Sequence, residues 1–366
     1  MTGKEPKKAK HHFVPKCYLR NFQSGSKRIN LFNVPRALAI QDAPLNAQCY
    51  RKKLYGQTNQ VEDALMALEG ESASVFRSVL ANGRLPKRGS TDFVTLLTFV
   101  AVQILRTPGT AERFNSFVDK LSKQLFSHEA GVSEKDLEGL TVGFEDPIAA
   151  TLHHLPLIIH SISDLSWQLV RSDSDAFITS DNPGFKYNMY CEGIRHRGVL
   201  GFMSAGLQIF LPLSPSFQIM LFDGKTYSLP LFDRINGISV ATAADAVLFN
   251  SMQLVAADEN IYFSNWVKAE RIRELALEMN QHRGDPTVVR EYGQDDDANN
   301  SLVHSFERMP NIRLNLSFLK IKWYLRHIPI AARAPAARRS APFPRMPVPP
   351  QLKERAATFS RFIGER

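Results

Sequence analysis

The stretch from Ser90 to Arg106 sets the strongest limit on how this chain folds. Phe93, Leu96, Leu97, Phe99, Val100, Ala101, Val102, Ile104 and Leu105 make it apolar nearly all round. A helix without a polar face has to be enclosed by other elements, so the pattern predicts a central, buried helix. Thr107-Pro108-Gly109 stops it, because Pro and Gly interrupt helical hydrogen bonding.

The flanking patterns supply the enclosing layers. Val61, Leu65, Leu68, Val75 and Val79 mark one amphipathic helix, opened by Asn59 and Glu62 as a capping pair and closed by Asn82-Gly83. Thr110 to Phe126 predicts another, and Asp146-Pro147 opens a fourth that Pro156 interrupts. Val14, Tyr18, Leu19 and Phe22 predict a short helix behind Pro15. Strand patterns begin at Arg28–Val34 and dominate after residue 163. Trp167–Arg171 and Ala176–Thr179 read as a hairpin, and Gln208–Leu213 and Phe217–Phe222 as a second pair. Residues 242–257 and 265–281 return to helix, and alternation at 312–318 reads as a half-buried strand with a bulge near Phe318. Helices first and a mainly antiparallel sheet later give an α+β fold class. One domain is expected over residues 11–330, with a helical part at 11–163 and a sheet-containing part at 164–330.

Charge argues against a polyanion-binding body. Residues 1–10 hold four lysines against Glu5, and residues 331–366 hold eight Lys/Arg against Glu354 and Glu365. The two ends therefore carry the whole net charge of +9. The first end reads as a flexible basic arm. The second holds six of the 21 prolines and reads as a disordered tail. Cys17, Cys49 and Cys191 are too few and too scattered for a disulfide framework, which suits a reducing cytoplasm. The apolar run from Ile148 to Ile162 is broken by Pro156 and too short for a bilayer, so no membrane partner is expected.

Phosphate-binding glycine loops, HExxH, GxSxG and the kinase set are absent, so any chemistry rests on dispersed polar residues. The foremost is the turn Thr179-Ser180-Asp181-Asn182-Pro183, where an apolar run ends in dense turn chemistry. Asp181 there binds a metal or activates water with Asn182 orienting a polar group, or both side chains are consumed by nearby backbone. His11 and His12 precede the first helix and offer imidazole for acid–base or metal chemistry, or form a polar lead-in. Glu62 and Glu69 lie about 20° apart on a helix at 100° per residue and share an edge of the apolar stripe, whereas Glu71 points away. Arg106, ending the buried helix, needs a carboxylate partner, for which Glu62 or Glu69 is suited, or else clamps an anion. Asn250 and Gln253 are neighbours on one helix face and can bond the opposed turn or a ligand. His153 and His160 are too far apart for one zinc ion.

His11-His12-Phe13-Val14-Pro15…Tyr18-Leu19-Arg20-Asn21-Phe22 and the Thr179–Pro183 turn together resemble an uncharacterised, mainly bacterial family called domain of unknown function 4238. The Glu62–Glu69 helix, Arg106-Thr107-Pro108 and Asn250…Gln253 match further family features over roughly residues 11–265. Gly184 stands where the family more usually has an apolar residue. The resemblance brings no established activity. It does suggest an active site, because its recurrent residues are polar, dispersed and turn-borne.

Two functions are expected on these grounds. The first is a hydrolase, a metal-dependent phosphodiesterase or nuclease of toxin- or defence-like type. In it His11, His12, Glu62, Glu69, Arg106, Asp181 and Asn182 form the site, and His12, Glu69 and Asp181 hold a divalent metal. Its partner would be nucleic acid or another phosphate-containing substrate. The second is a non-catalytic nucleotide- or protein-binding module whose polar residues form a structural network.

Overall fold

The computed structural model describes residues 10–52, 54–55, 60–127, 131–173, 177–195, 198–264, 268–292 and 302–333. Residues 1–9 of the basic arm, the tail beyond 333, Asn59 and the start of the 265–281 helix lie outside the described residues, whereas Lys10, the arm's last residue, pairs with Lys52 in a short antiparallel ladder. The fold is α+β, with helices and several mainly antiparallel sheets.

The apolar stretch is the central helix, Thr91–Leu105. Ser90 caps it by accepting the Phe93 amide at 3.2 Å, and every side chain from Phe93 to Leu105 is buried. Two helices, Gln60–Asn82 and Leu155–Ile162, pack on it. A third, Pro108–Phe126, leaves its end at an angle of 57°. Pro108 occupies the first turn there, where a missing N–H costs nothing, and Thr107 caps by accepting the Thr110 amide. The expected interruption at Pro156 is present: the helix opened at Pro147 ends at His153, and Pro156 sits in the first turn of the next helix, Leu155–Ile162. Among the described residues no single helix is long and apolar enough to cross a membrane.

Two sheets complete the core. One runs in the order Ile238–Val240, Ser166–Arg171, Phe217–Phe222, Gln208–Pro212, Phe185–Tyr187, with only its first pair parallel. The other is antiparallel in the order Leu38–Pro44, Arg28–Asn33, Asn260–Phe263, Thr179–Ser180. The expected pair around residues 214–216 is present. The expected hairpin of 167–171 with 176–179 is not. Ser166–Arg171 pairs with Phe217–Phe222, whereas Thr179–Ser180 crosses to Asn260–Phe263. Residues 312–318 keep their alternating burial, with Leu314, Leu316 and Phe318 inside, but form no ladder. Their burial against the core satisfies the pattern without strand pairing.

One consequence positions the polar residues. Thr179–Ser180 is the last strand of one sheet and Phe185–Tyr187 the last strand of the other. The turn at 181–184 is the place where the chain steps from sheet to sheet.

Candidate functional site

The Asp181 carboxylate is buried and fully engaged. Its Oδ1 accepts the Asp258 amide at 2.8 Å, and its Oδ2 accepts the amides of Glu259 and Asn260, each at 2.8 Å. Its own amide donates to the Asn260 carbonyl at 3.0 Å. The side chain therefore organises the loop entering Asn260–Phe263. Burial, then the Asp258 carboxylate, raises its pKa to about 7, and the three amides oppose that rise.

The loop passes the constraint on. Asp258 Oδ2 accepts the Gly109 amide at 2.8 Å, at the start of Pro108–Phe126. A side chain at 109 is excluded, because its Cβ would stand 1.8 Å from Asp258 Oδ1. Thr107, the cap of the same helix, donates its hydroxyl to Asn182 Oδ1 at 3.0 Å, and Asn182 Nδ2 donates to the Ala256 carbonyl at 2.9 Å. Ser180 donates its hydroxyl to Gln253 Oε1 at 2.9 Å, Gln253 Nε2 donates to the Pro183 carbonyl at 2.7 Å, and the Ile178 amide donates to Asn250 Oδ1 at 3.1 Å. The chain of contacts closes on itself: Asp181 to loop 258–260, Asp258 to Gly109, Thr107 to Asn182. We call it the clamp. Gly184 belongs to the same packing, since a Cβ there would meet Ile104 at 2.9 Å.

The other expected residues gather in a second cluster. Arg106 is 1% exposed; its Nη1 donates to Glu69 Oε1 at 2.9 Å, and its Nε and Nη2 donate to Gln103 Oε1 at 3.1 and 2.9 Å. Gln103 Nε2 donates to the Phe13 carbonyl at 2.9 Å and ties in the opening segment. Of the two carboxylates suited to Arg106, Glu69 is the one that pairs, while Glu62 sits half-buried further up the same helix. His11 is buried, stacks on Tyr55 and accepts the Tyr55 amide at its Nδ1, 3.2 Å away. His12 is half-buried, with Nε2 3.4 Å from the Asn46 carbonyl. Burial, then Lys16, lowers its pKa to about 4. Glu71, expected to face water, is exposed yet accepts the Thr95 hydroxyl at 3.2 Å.

Six of the seven expected site residues thus divide between two clusters, and Glu62 stands apart from both. Asp181 and Asn182 belong to the clamp, and His11, His12, Glu69 and Arg106 to the Arg106 corner. Tyr18 joins the opening segment to the turn, its hydroxyl 2.8 Å from Thr179 Oγ1. Among the described residues no group of three His, Cys, Asp or Glu side chains is placed to hold a metal, so His12, Glu69 and Asp181 do not assemble as one ligand set. Asp181 already accepts three backbone amides, which leaves about one of a carboxylate's roughly four acceptor positions.

Open space lies beside the clamp. A cleft of about 480 Å³ is lined by Asn182, Gly184 and Phe185 from the turn, Ile104 and Arg113 from the helix corner, and residues 281–286 and 307–311 from the far side. Among the described residues, Arg113, Lys186, Arg195, Arg283 and Arg308 line it against two acids, Asp285 and Glu307. Both acids are already paired, Glu307 with Lys186 and Asp285 with Lys120 at 2.7 Å. Arg283 is a clasp, donating to the Leu254 and Asp258 carbonyls, and Arg113 donates to Thr110 Oγ1 at 3.0 Å and lies 4.0 Å from the Asp258 carboxylate, which leaves Arg195 and Arg308 without a carboxylate partner among the described residues. Lys186 also lies over the Phe202 ring, 5.0 Å from its centre. The cleft therefore offers surplus positive charge beside apolar surface. Sequence reading missed Arg113, Lys186, Arg283, Arg308, Gly109 and Asp258. The one available signal was Thr107-Pro108, a cap followed by proline, which marks a helix start at the cleft.

Searches of the curated proteins and of the solved structures give no match. A family model, described as "Protein of unknown function (DUF4238)", matches residues 10–266. That span holds the opening segment, the Arg106 corner and the whole clamp, and the chain belongs to this family.

Proposed function

We propose that the chain is a non-catalytic binding module for a nucleotide-sized anionic ligand held in the cleft beside the clamp, acting in the cytoplasm. One observation carries this reading. The polar residues that would do chemistry are bonded to backbone or to each other, whereas the neighbouring cleft has cations in excess of acids. Its volume of about 480 Å³ falls in the usual range for small-molecule sites, and its mixed lining suits a base or ring on the apolar side and phosphate on the arginines. The clamp's part is rigidity. It fixes one wall by locking the turn, the helix corner and the 256–260 segment together.

Calorimetric titration of the full chain with ADP, AMP and adenosine tests the proposal. Phosphate-bearing ligands are expected to bind and adenosine to fail, with Arg308→Ala and Arg113→Ala each weakening binding about tenfold, as for a lost charge-assisted contact. Equal binding of adenosine and ADP, or no binding by either nucleotide, contradicts it. The metal-dependent phosphodiesterase expectation forecasts something different: turnover of bis(p-nitrophenyl) phosphate with Mg²⁺ or Mn²⁺ that a folded Asp181→Asn protein loses. Such turnover would replace the binding reading with the hydrolase.

A further inference from the structure

Away from the clamp, the fold carries a platform that exposes apolar side chains instead of burying them. The short strands Tyr227–Ser228 and Lys320–Ile321 pair antiparallel, and Lys322 and Tyr324 bond back to residues 224–226. This ribbon carries two short helices, Leu231–Asn236 and Trp323–Arg326. Leu231, Phe232 and Ile235 fall within about 100° of helix circumference, which is the spacing of a core-facing stripe. Yet they are 61%, 75% and 73% exposed, and Trp323 is 73% exposed. Single exposed apolar residues are ordinary, but a stripe of them on one short helix, with an exposed tryptophan on the same ribbon, marks an interaction surface.

Beside the platform is a second cleft, of about 510 Å³, distinct from the one at the clamp. Phe93, Trp167 and Phe222 give it an apolar floor, and Arg84, Arg234 and Lys322 stand on its rim. The buried Trp167 Nε1 has no hydrogen-bond acceptor among the described residues. A buried donor without an acceptor is costly to the fold.

Charge selects the occupant. Residues 224–237 and 320–333 contain Lys225, Arg234, Lys320, Lys322, Arg326 and Arg333 against Asp233 alone. A second copy meeting this face would set like charges together, and the chain's own ends are basic as well. A bilayer would meet the protruding side chains but could not fill a concave cleft. We propose that this face docks an acidic segment of another protein that carries apolar side chains. Its acids would meet Arg84, Arg234 and Lys322, and its apolar residues would cover Phe232, Ile235 and Trp323.

The test titrates the full chain into a fluorescent peptide library randomised over Asp, Glu, Leu, Ile and Phe. A counterpart library has Lys and Arg in place of the acids, and phosphatidylserine–phosphatidylcholine vesicles serve as a third probe. Tighter binding of the acidic library is expected, weakened by salt, with Phe232→Ser, Trp323→Ser and Arg234→Glu each lowering affinity about tenfold, as for an interface hot spot. All three positions are exposed, so the fold should survive, which circular dichroism checks. Three results overturn the proposal: no preference for the acidic library, binding unchanged in the variants, or vesicle binding that the same variants abolish while the peptides stay unbound.

Discussion

Arg106 and Thr107 are chain neighbours, yet they serve different polar clusters. Arg106 joins two side chains, Glu69 and Gln103, at a corner that solvent reaches through Glu69, which is 24% exposed. Thr107 joins the clamp, where Asp181 is 3% exposed and bonds three backbone amides. The corner is an ion pair that can partly re-solvate. The clamp is a carboxylate standing in for the carbonyls that the loop lacks. Buried amides cannot find water when their acceptor goes, so equal truncations should have unequal effects.

The largest effect is expected at the clamp. Asp181→Ala strands three amides and frees the loop that caps Pro108–Phe126, and should destabilise by about 3–5 kcal/mol in urea unfolding, the range for breaking a buried charged contact. Arg106→Met keeps the packing volume, strands one buried acceptor, Gln103 Oε1, and leaves Glu69 able to turn to solvent, so the loss should be smaller than for three stranded amides, about 2 kcal/mol. If Arg106→Met proves the more damaging, the contrast between side-chain and backbone partners is wrong.

Acidity separates the clusters in the other direction. His12 has a folded pKa of about 4 against 6.5 unfolded. The unfolded chain takes the proton first, so the stability His12 contributes is present above pH 6.5 and lost as pH falls toward 4. Asp181 has the opposite sign. Its folded pKa of about 7 lies above 3.8, so its contribution is present below about pH 4 and lost as pH rises through 7. Stability measured from pH 4 to 8 should therefore lose one slope in His12→Gln and the opposite slope in Asp181→Asn. A shared slope in the two variants would merge the clusters.

What the sequence made legible follows from this difference. The buried helix was readable because its apolar residues cover every face, and the Arg106–Glu69 pair because one buried cation and one helix edge have few ways to meet. Asn250 and Gln253 were readable as partners of the turn for the same reason. The donors to Asp181 were not, because backbone amides look alike in any sequence. Their loop lies about eighty residues further along, brought in only by the pairing of Thr179–Ser180 with Asn260–Phe263. The cleft was hidden for a related reason. Its cations come from Arg113, Lys186 and the 281–311 segment, each unremarkable where it stands in the chain.

The central claim is that Asp181 is an anchor for residues 258–260. Amide hydrogen exchange at Asp258, Glu259 and Asn260, compared between wild type and Asp181→Ala under conditions where both are folded, tests it most directly. The account predicts slow exchange at all three amides in the wild type and fast exchange in the variant, with the Thr91–Leu105 helix still protected. Unchanged protection at 258–260 in the variant would contradict it and return Asp181 to the role of a free acid.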